Sequence, residues 1–267
     1  MMGQGFKIIS VYFSLWLMIW TTGCGGEEHR YYLSYNEEKR VYENEVDKSQ
    51  TKGVKHYMVH LMDGEYHHIH LVSGGKVMKK FVYMKGSSGK NEQVKRLNEK
   101  DQVYQIDYLY PNGEIKKTAY LNDKGKILGW DEFDPVSDDM MEGVSGHENV
   151  RSLKYSSVSF KEEGSDTLKE VIRYQYFIKD KKLRQVIVSK ESYKGKTQVK
   201  KELFKYGQDG LLYSRKEYNG EKLVRIYYYD EEELLEEEHL LSDTGKVKSK
   251  IYWDKSGKEI KRIDLIK

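Results

Sequence analysis

Clusters of turn-forming residues recur along this chain at an almost constant interval, and that rhythm limits what it can fold into. They fall at Asp63-Gly64, Ser73-Gly74-Gly75, Gly86-Ser87-Ser88-Gly89, Asn98-Glu99-Lys100-Asp101, Pro111-Asn112-Gly113 and Asn122-Asp123-Lys124-Gly125. After a gap they resume at Glu163-Gly164-Ser165, Lys179-Asp180-Lys181, Lys194-Gly195, Gln208-Asp209-Gly210, Asn219-Gly220, Asp230-Glu231-Glu232, Asp243-Thr244-Gly245 and Lys255-Ser256-Gly257. Successive turns lie roughly 10–15 residues apart, the spacing of short strands joined as hairpins, and little room is left for helices. The intervening segments are rich in β-formers, as in Val103–Tyr110, Val171–Ile178 and Leu223–Tyr229. The segment Glu231–Leu241, EEELLEEEHLL, has strong helix propensity, but its flanks keep the rhythm and it reads as turn followed by strand. The expectation is an all-β fold, an antiparallel meander of repeated hairpins forming an open single-layer sheet in two units.

Composition agrees. Charged residues make up 33% of the chain, yet 23 tyrosines argue against disorder, because disordered chains are poor in aromatics. Lysines and glutamates on strand faces, interleaved with aromatic pairs, fit cross-strand pairing. The 46 basic and 43 acidic residues alternate and form no basic patch, so no nucleic-acid partner is expected.

The N-terminus addresses the protein. Lys7 precedes an apolar run, Ile8–Trp20, and Thr21-Thr22-Gly23-Cys24 follows with the single cysteine of the chain. That order reads as an export signal. A helix of this run, at about 1.5 Å per residue, is too short to span a hydrocarbon core of about 30 Å. Its last four residues resemble the lipobox of bacterial lipoproteins, although Thr21 stands where that family has an aliphatic residue. The resemblance implies cleavage before Cys24, attachment of a diacylglycerol to its sulfur, and a place in the bacterial cell envelope. Gly25 follows the cysteine where inner-membrane retention would call for aspartate, which points to the outer membrane. With no second cysteine, disulfides and thiolate metal sites are excluded.

The division expected is a signal peptide over 1–23, a lipidated tether over 24–30, a β-hairpin repeat unit over 31–130, an acidic linker or loop over 131–150 and a second repeat unit over 151–267. Several turns share one local pattern: an apolar residue, two or three turn residues, glycine and an aliphatic. Tyr110–Ile115, Leu121–Ile127, Tyr206–Leu212 and Leu241–Val247 carry it, with a looser copy at Trp253–Ile260. These segments resemble the MORN-type and YD-type repeats of bacterial envelope proteins, over about 97–130 and 200–263. The resemblance implies a scaffold built by repetition and no activity.

Catalytic motifs are missing. Gly143-Val144-Ser145-Gly146-His147 departs from the nucleophile-elbow pattern at its last position, and His147-Glu148 lacks a histidine at 151 to complete a zincin motif. No enzyme activity is expected. The acidic stretch 131–148 lacks the ordered ligand spacing of a calcium loop.

Five of the eight histidines lie at positions 56, 60, 67, 68 and 70. A two-residue turn at Asp63-Gly64 sets Met62 opposite Glu65, and continuous pairing then sets His60 opposite His67, with His68 and His70 on the other face. Cross-strand imidazoles at about 4.5–5.5 Å between Cβ atoms can share an ion. His60 and His67 are therefore the candidate ligands for Zn(II), Cu(II) or Ni(II), with Glu65 or His56 as a possible third donor. Two functions follow as expectations. One is a membrane-anchored, non-catalytic interaction or scaffold lipoprotein with a protein or polysaccharide partner. The other is a periplasmic metal- or small-ligand-binding lipoprotein using the 56–70 hairpin.

Overall fold

The structure is a computed structural model and describes residues 27–36, 41–62, 64–86, 89–136, 152–163 and 166–266. The signal peptide, Cys24 and most of the acidic stretch, 137–150, lie outside the described residues.

The chain is all-β, as the turn rhythm predicts. Among the described residues eighteen strands pair antiparallel, without closing into a barrel, and a single 3-10 turn, Lys48–Thr51, interrupts them. The strands divide between two compact units, one ending at Tyr83 and the other beginning at Met84.

The first unit holds β1 (Glu27–Asn36), β2 (Val41–Val46), β3 (His56–Met62), β4 (Glu65–Ser73) and the part of β5 (Lys76–Lys85) up to Tyr83. Strand β1 pairs with both β2 and β3, so the order is β2-β1-β3-β4-β5. Alternation sends Val59, Leu61 and Ile69 to one face, where Tyr32, Tyr42, Tyr57, Phe81 and Tyr83 pack on them. Burial and the neighbouring tyrosines push the Tyr42 hydroxyl well above the usual tyrosine range, so it stays protonated.

The second unit runs as a meander of neighbours: β6 (Asn91–Leu97), β7 (Val103–Leu109), β8 (Ile115–Leu121), β9 (Ile127–Pro135), β10 (Ser152–Glu163), β11 (Asp166–Lys179), β12 (Lys182–Lys194), β13 (Thr197–Tyr206), β14 (Leu212–Asn219), β15 (Lys222–Tyr229), β16 (Leu235–Leu241), β17 (Val247–Trp253) and β18 (Glu259–Asp264). The segment 231–241 is turn then strand, as its flanks indicate.

One turn is used repeatedly. At eight places among the described residues the N–H of residue i+3 donates to the carbonyl of i, and the N–H of i donates to the carbonyl of i+4. Residue i+3 has a left-handed φ each time, and six of the eight are glycine; Asp101 and Glu233 are the exceptions. Where residue i is Asn98, Asn122, Asp230 or Asp254, its side-chain oxygen also accepts the N–H groups of i+2 and i+4. Asn122…Gly125 and Asp254…Gly257 carry both features, the Asn/Asp at i and the glycine at i+3.

Two boundaries differ from the sequence reading. Glu27–Arg30 belong to β1 and are not tether, because Glu27–Tyr32 pair with β3 across Tyr57–Met62. The acidic stretch begins inside β9: Asp131, Glu132 and Asp134 pair with β10, which makes β9 and β10 neighbours within one unit and not separate units joined by a linker. The carboxylates of Asp131 and Glu132 have cross-strand partners. Asp131 accepts from the Tyr120 hydroxyl at 3.0 Å and lies 3.5 Å from Lys154 Nζ, and Glu132 lies 3.9 Å from Lys117 Nζ.

Aromatic runs are likewise absorbed by pairing. Tyr227 is buried, its hydroxyl donates to Glu217, and the Arg215 guanidinium stacks on its ring at 4.0 Å; Tyr228 packs edge-on against His239.

Candidate metal centre

The face of the first unit opposite its aliphatic core carries the histidines. His29 on β1, His60 on β3 and His68 on β4 are register partners in sequence across three adjacent strands. Their rings pack along that row, tilted with centroids 4.5 Å apart between His29 and His60 and edge-on with centroids 4.1 Å apart between His60 and His68. His70 stacks on His68 at 4.9 Å, completing a continuous imidazole surface.

The pairing of His60 differs from the sequence expectation. Met62 does face Glu65, but a β-bulge shifts the ladder between His60 and Leu61: Leu61 pairs with Tyr66, His60 pairs with His68, and His67 is the extra residue. The bulge returns His67 to the cluster by another route. Its Nδ1 lies 2.9 Å from His68 Nδ1, while His60 Nδ1 lies 3.0 Å from the same atom. His60 and His67 thus fall in one group, with His68 between them, the residue that uninterrupted alternation put on the other face. His56 is not part of it, since its Nδ1 is held by the Val54 carbonyl at 2.9 Å, and Glu65 is not in the group either. The donors sequence reasoning missed are Glu27 and His29, which lie in the stretch read as tether. Glu27 Oε1 stands 2.5 Å from His60 Nε2.

His60 is the buried centre of this arrangement, 4% exposed. Its Nε2 has no hydrogen-bond partner among the described residues, although the Glu27 oxygen is close, because the approach lacks hydrogen-bonding geometry. Proton counting explains the tension. Each nitrogen–nitrogen contact takes one proton, and a neutral imidazole carries one N–H. If His60 donates through Nδ1 to His68, its bare Nε2 faces a carboxylate, acceptor against acceptor. In the other tautomer Nε2–H faces the carboxylate and Nδ1 accepts from His68; a bound cation in place of the proton also satisfies both acceptors.

Burial, reinforced by the charges of His60, His70, His67 and His29, pushes the His68 imidazole down to about 4. His68 is therefore neutral at pH 7, with its lone pair available, which is the form that ligates a metal. Two nitrogens each about 2.0–2.1 Å from a tetrahedral ion stand about 3.4 Å apart, so separations of 2.9–3.0 Å need an opening of a few tenths of an ångström. Two overlapping donor groups meet metal-binding spacing among the described residues, with ligand atoms within 4.8 Å of one another: His60/His67/His68 and Glu27/His29/His60. Imidazole and carboxylate donors suit Zn(II), Cu(II) and Ni(II).

Fold and site together define an all-β hairpin-repeat protein with a histidine cluster on one sheet face. Comparison with protein-family models and with curated proteins gives no match.

Proposed function

We propose that this chain is a lipid-anchored protein of the bacterial envelope, held through Cys24, that works by binding and not by catalysis, and that its ligand is a divalent transition-metal ion. The observation that carries the metal reading is the meeting of three ring nitrogens, those of His60 and His67 lying 3.0 and 2.9 Å from that of His68, on a side of the sheet where His60 is buried. The anchor rests on Thr21-Thr22-Gly23-Cys24 after an apolar run. The test is thermal unfolding of the purified protein with zinc or with a chelator. Zinc is expected to raise the melting temperature, and the triple variant H60A/H67A/H68A to lose that rise while its chelated form still unfolds cooperatively. An equal rise in both proteins refutes the assignment.

A second reading, an interaction scaffold for a protein or polysaccharide partner in the outer membrane, is favoured by the ladder of consecutive hairpins from β6 to β18. Protease shaving of intact cells tests it: release of peptides from the second unit supports an extracellular partner surface, and protection directs attention to periplasmic partners.

A further inference from the structure

The two donor groups of the histidine cluster share one residue, and they use opposite sides of its ring. His60 Nδ1 lies 3.0 Å from His68 Nδ1, which His67 Nδ1 also approaches at 2.9 Å, whereas His60 Nε2 faces Glu27. His29 packs tilted against the same ring from the neighbouring strand and belongs to the Glu27 group. A single ion cannot lie on both sides of an imidazole, so one metal leaves one donor group unused. The side left over after His67 and His68 are satisfied is the one on which His60 presents a buried nitrogen with no hydrogen-bond partner among the described residues.

We propose that His60 bridges two metal ions as an imidazolate, with one ion held by His60 Nδ1, His67 and His68, and the other by His60 Nε2, Glu27 and His29. This rests on the metal-binding reading above and extends it from one ion to a pair. Each ion receives three protein donors, which leaves room for water or an exogenous ligand in a fourth position. The proton balance is simple. Neutral His60 carries one N–H; when both nitrogens are metal-bound that proton passes to bulk water, and the ring bears a negative charge between the two cations. Glu27 supplies a second negative charge. Two dications with imidazolate and carboxylate have a net charge of about +2, which compares with +3 for the same ions beside a carboxylate and an unbridged neutral imidazole.

The geometry also explains why these donors come from three strands. The β1–β3 register sets His29 directly opposite His60, and the β-bulge at His67 gives the other side of the ring two nitrogens where regular pairing gives one. Glu27 has a side chain 62% exposed, so changing it does not disturb the core and the Nε2 side can be dismantled alone.

The experiment is a Cu(II) titration of the purified protein, with copper counted by elemental analysis after desalting and spins counted by electron paramagnetic resonance. The expected result is two coppers per chain with a spin intensity well below two, because an imidazolate couples the ions antiferromagnetically. The variant E27Q/H29A is expected to keep one copper per chain with the full intensity of an isolated ion. One copper per wild-type chain, lost in H67A/H68A, overturns the bridge and leaves the single-ion site standing. Two coppers with two full, uncoupled spins also overturns the bridge. Retention of none overturns both readings together.

Discussion

His68 holds its Nδ1 between those of His60 and His67, 3.0 Å from one and 2.9 Å from the other. It is thus the hub of the three-nitrogen group, and its substitution has a specific consequence. A ligand that binds only the folded state at about 100 times its dissociation constant stabilises by about 2.7 kcal/mol. H68A is expected to remove most of the zinc-dependent stabilisation, and H67A less, because the His60–His68 contact survives in H67A. Zinc-dependent melting of the two variants side by side checks the order. A larger loss in H67A means that the uninterrupted register, with His60 facing His67, is the operative one.

How far this site is legible in the sequence depends on one residue. Asp63-Gly64 announces the hairpin, and the clustering of His56, His60, His67, His68 and His70 announces the chemistry. Alternation alone cannot reveal a bulge, because one extra residue exchanges the faces of everything beyond it. Nothing in His60–His68 taken alone marks His67 as that residue. Glu27 and His29 were hidden for a different reason: their strand is made by pairing with β3, a contact between residues some thirty positions apart that no local pattern encodes. The turns are the opposite case. Their glycines and Asn/Asp side chains satisfy backbone groups within five residues, so they can be read directly, and the all-β meander follows from them. The acidic residues Asp131 and Glu132 misled because charge resembles linker composition, whereas in a single-layer sheet cross-strand ion pairs do part of the work of a core.

Asp107 shows how polar pairing substitutes for a core. It is 2% exposed and accepts from Arg96 Nε at 2.8 Å, from Thr118 Oγ1 at 2.8 Å and from Gln105 Nε2 at 2.8 Å. Removing one partner of a buried charge pair costs about 3–5 kcal/mol when both partners are buried. Arg96 retains 34% side-chain exposure and recovers part of its hydration. D107A is therefore expected to lose about 2–3 kcal/mol, measured by urea unfolding, from the stranded Thr118 and Arg96 donors. D107N keeps one acceptor oxygen and is expected to lose less. Equal losses in the two variants mean that the charge, which both remove, carries the contribution and that the remaining acceptor oxygen and the shape of the side chain do not.

Glu191 makes stability depend on acid. Burial works to raise its carboxyl, but hydrogen bonds from Tyr193 and Arg173 and the charges of Arg173 and Lys201 outweigh that and hold it below its ordinary 4.5. The folded form therefore releases this proton more readily than the unfolded chain. Its contribution is fully present above pH 4.5 and is lost as the pH falls below that value through the folded titration. E191Q removes this titration. Urea unfolding of both proteins between neutral pH and about pH 3 is expected to give curves that converge on the acid side. Parallel curves exclude Glu191 as a source of the acid sensitivity.

Gly125 isolates the cost of the turn itself. It occupies the left-handed position of the repeated turn with φ +75°, and a Cβ built there meets nothing within 4 Å. Alanine in that conformation brings backbone strain without any clash, and left-handed geometry costs an L-residue about 1–2 kcal/mol. G125A is expected to fall in this range by urea unfolding. G125N is expected to lie closer to wild type, because a short polar side chain tolerates the left-handed region. The comparison separates strain from packing: steric conflict would make the larger asparagine the worse of the two. The same ranking at Gly245, also open to solvent at φ +76°, would show that the penalty belongs to the repeated turn and not to one hairpin.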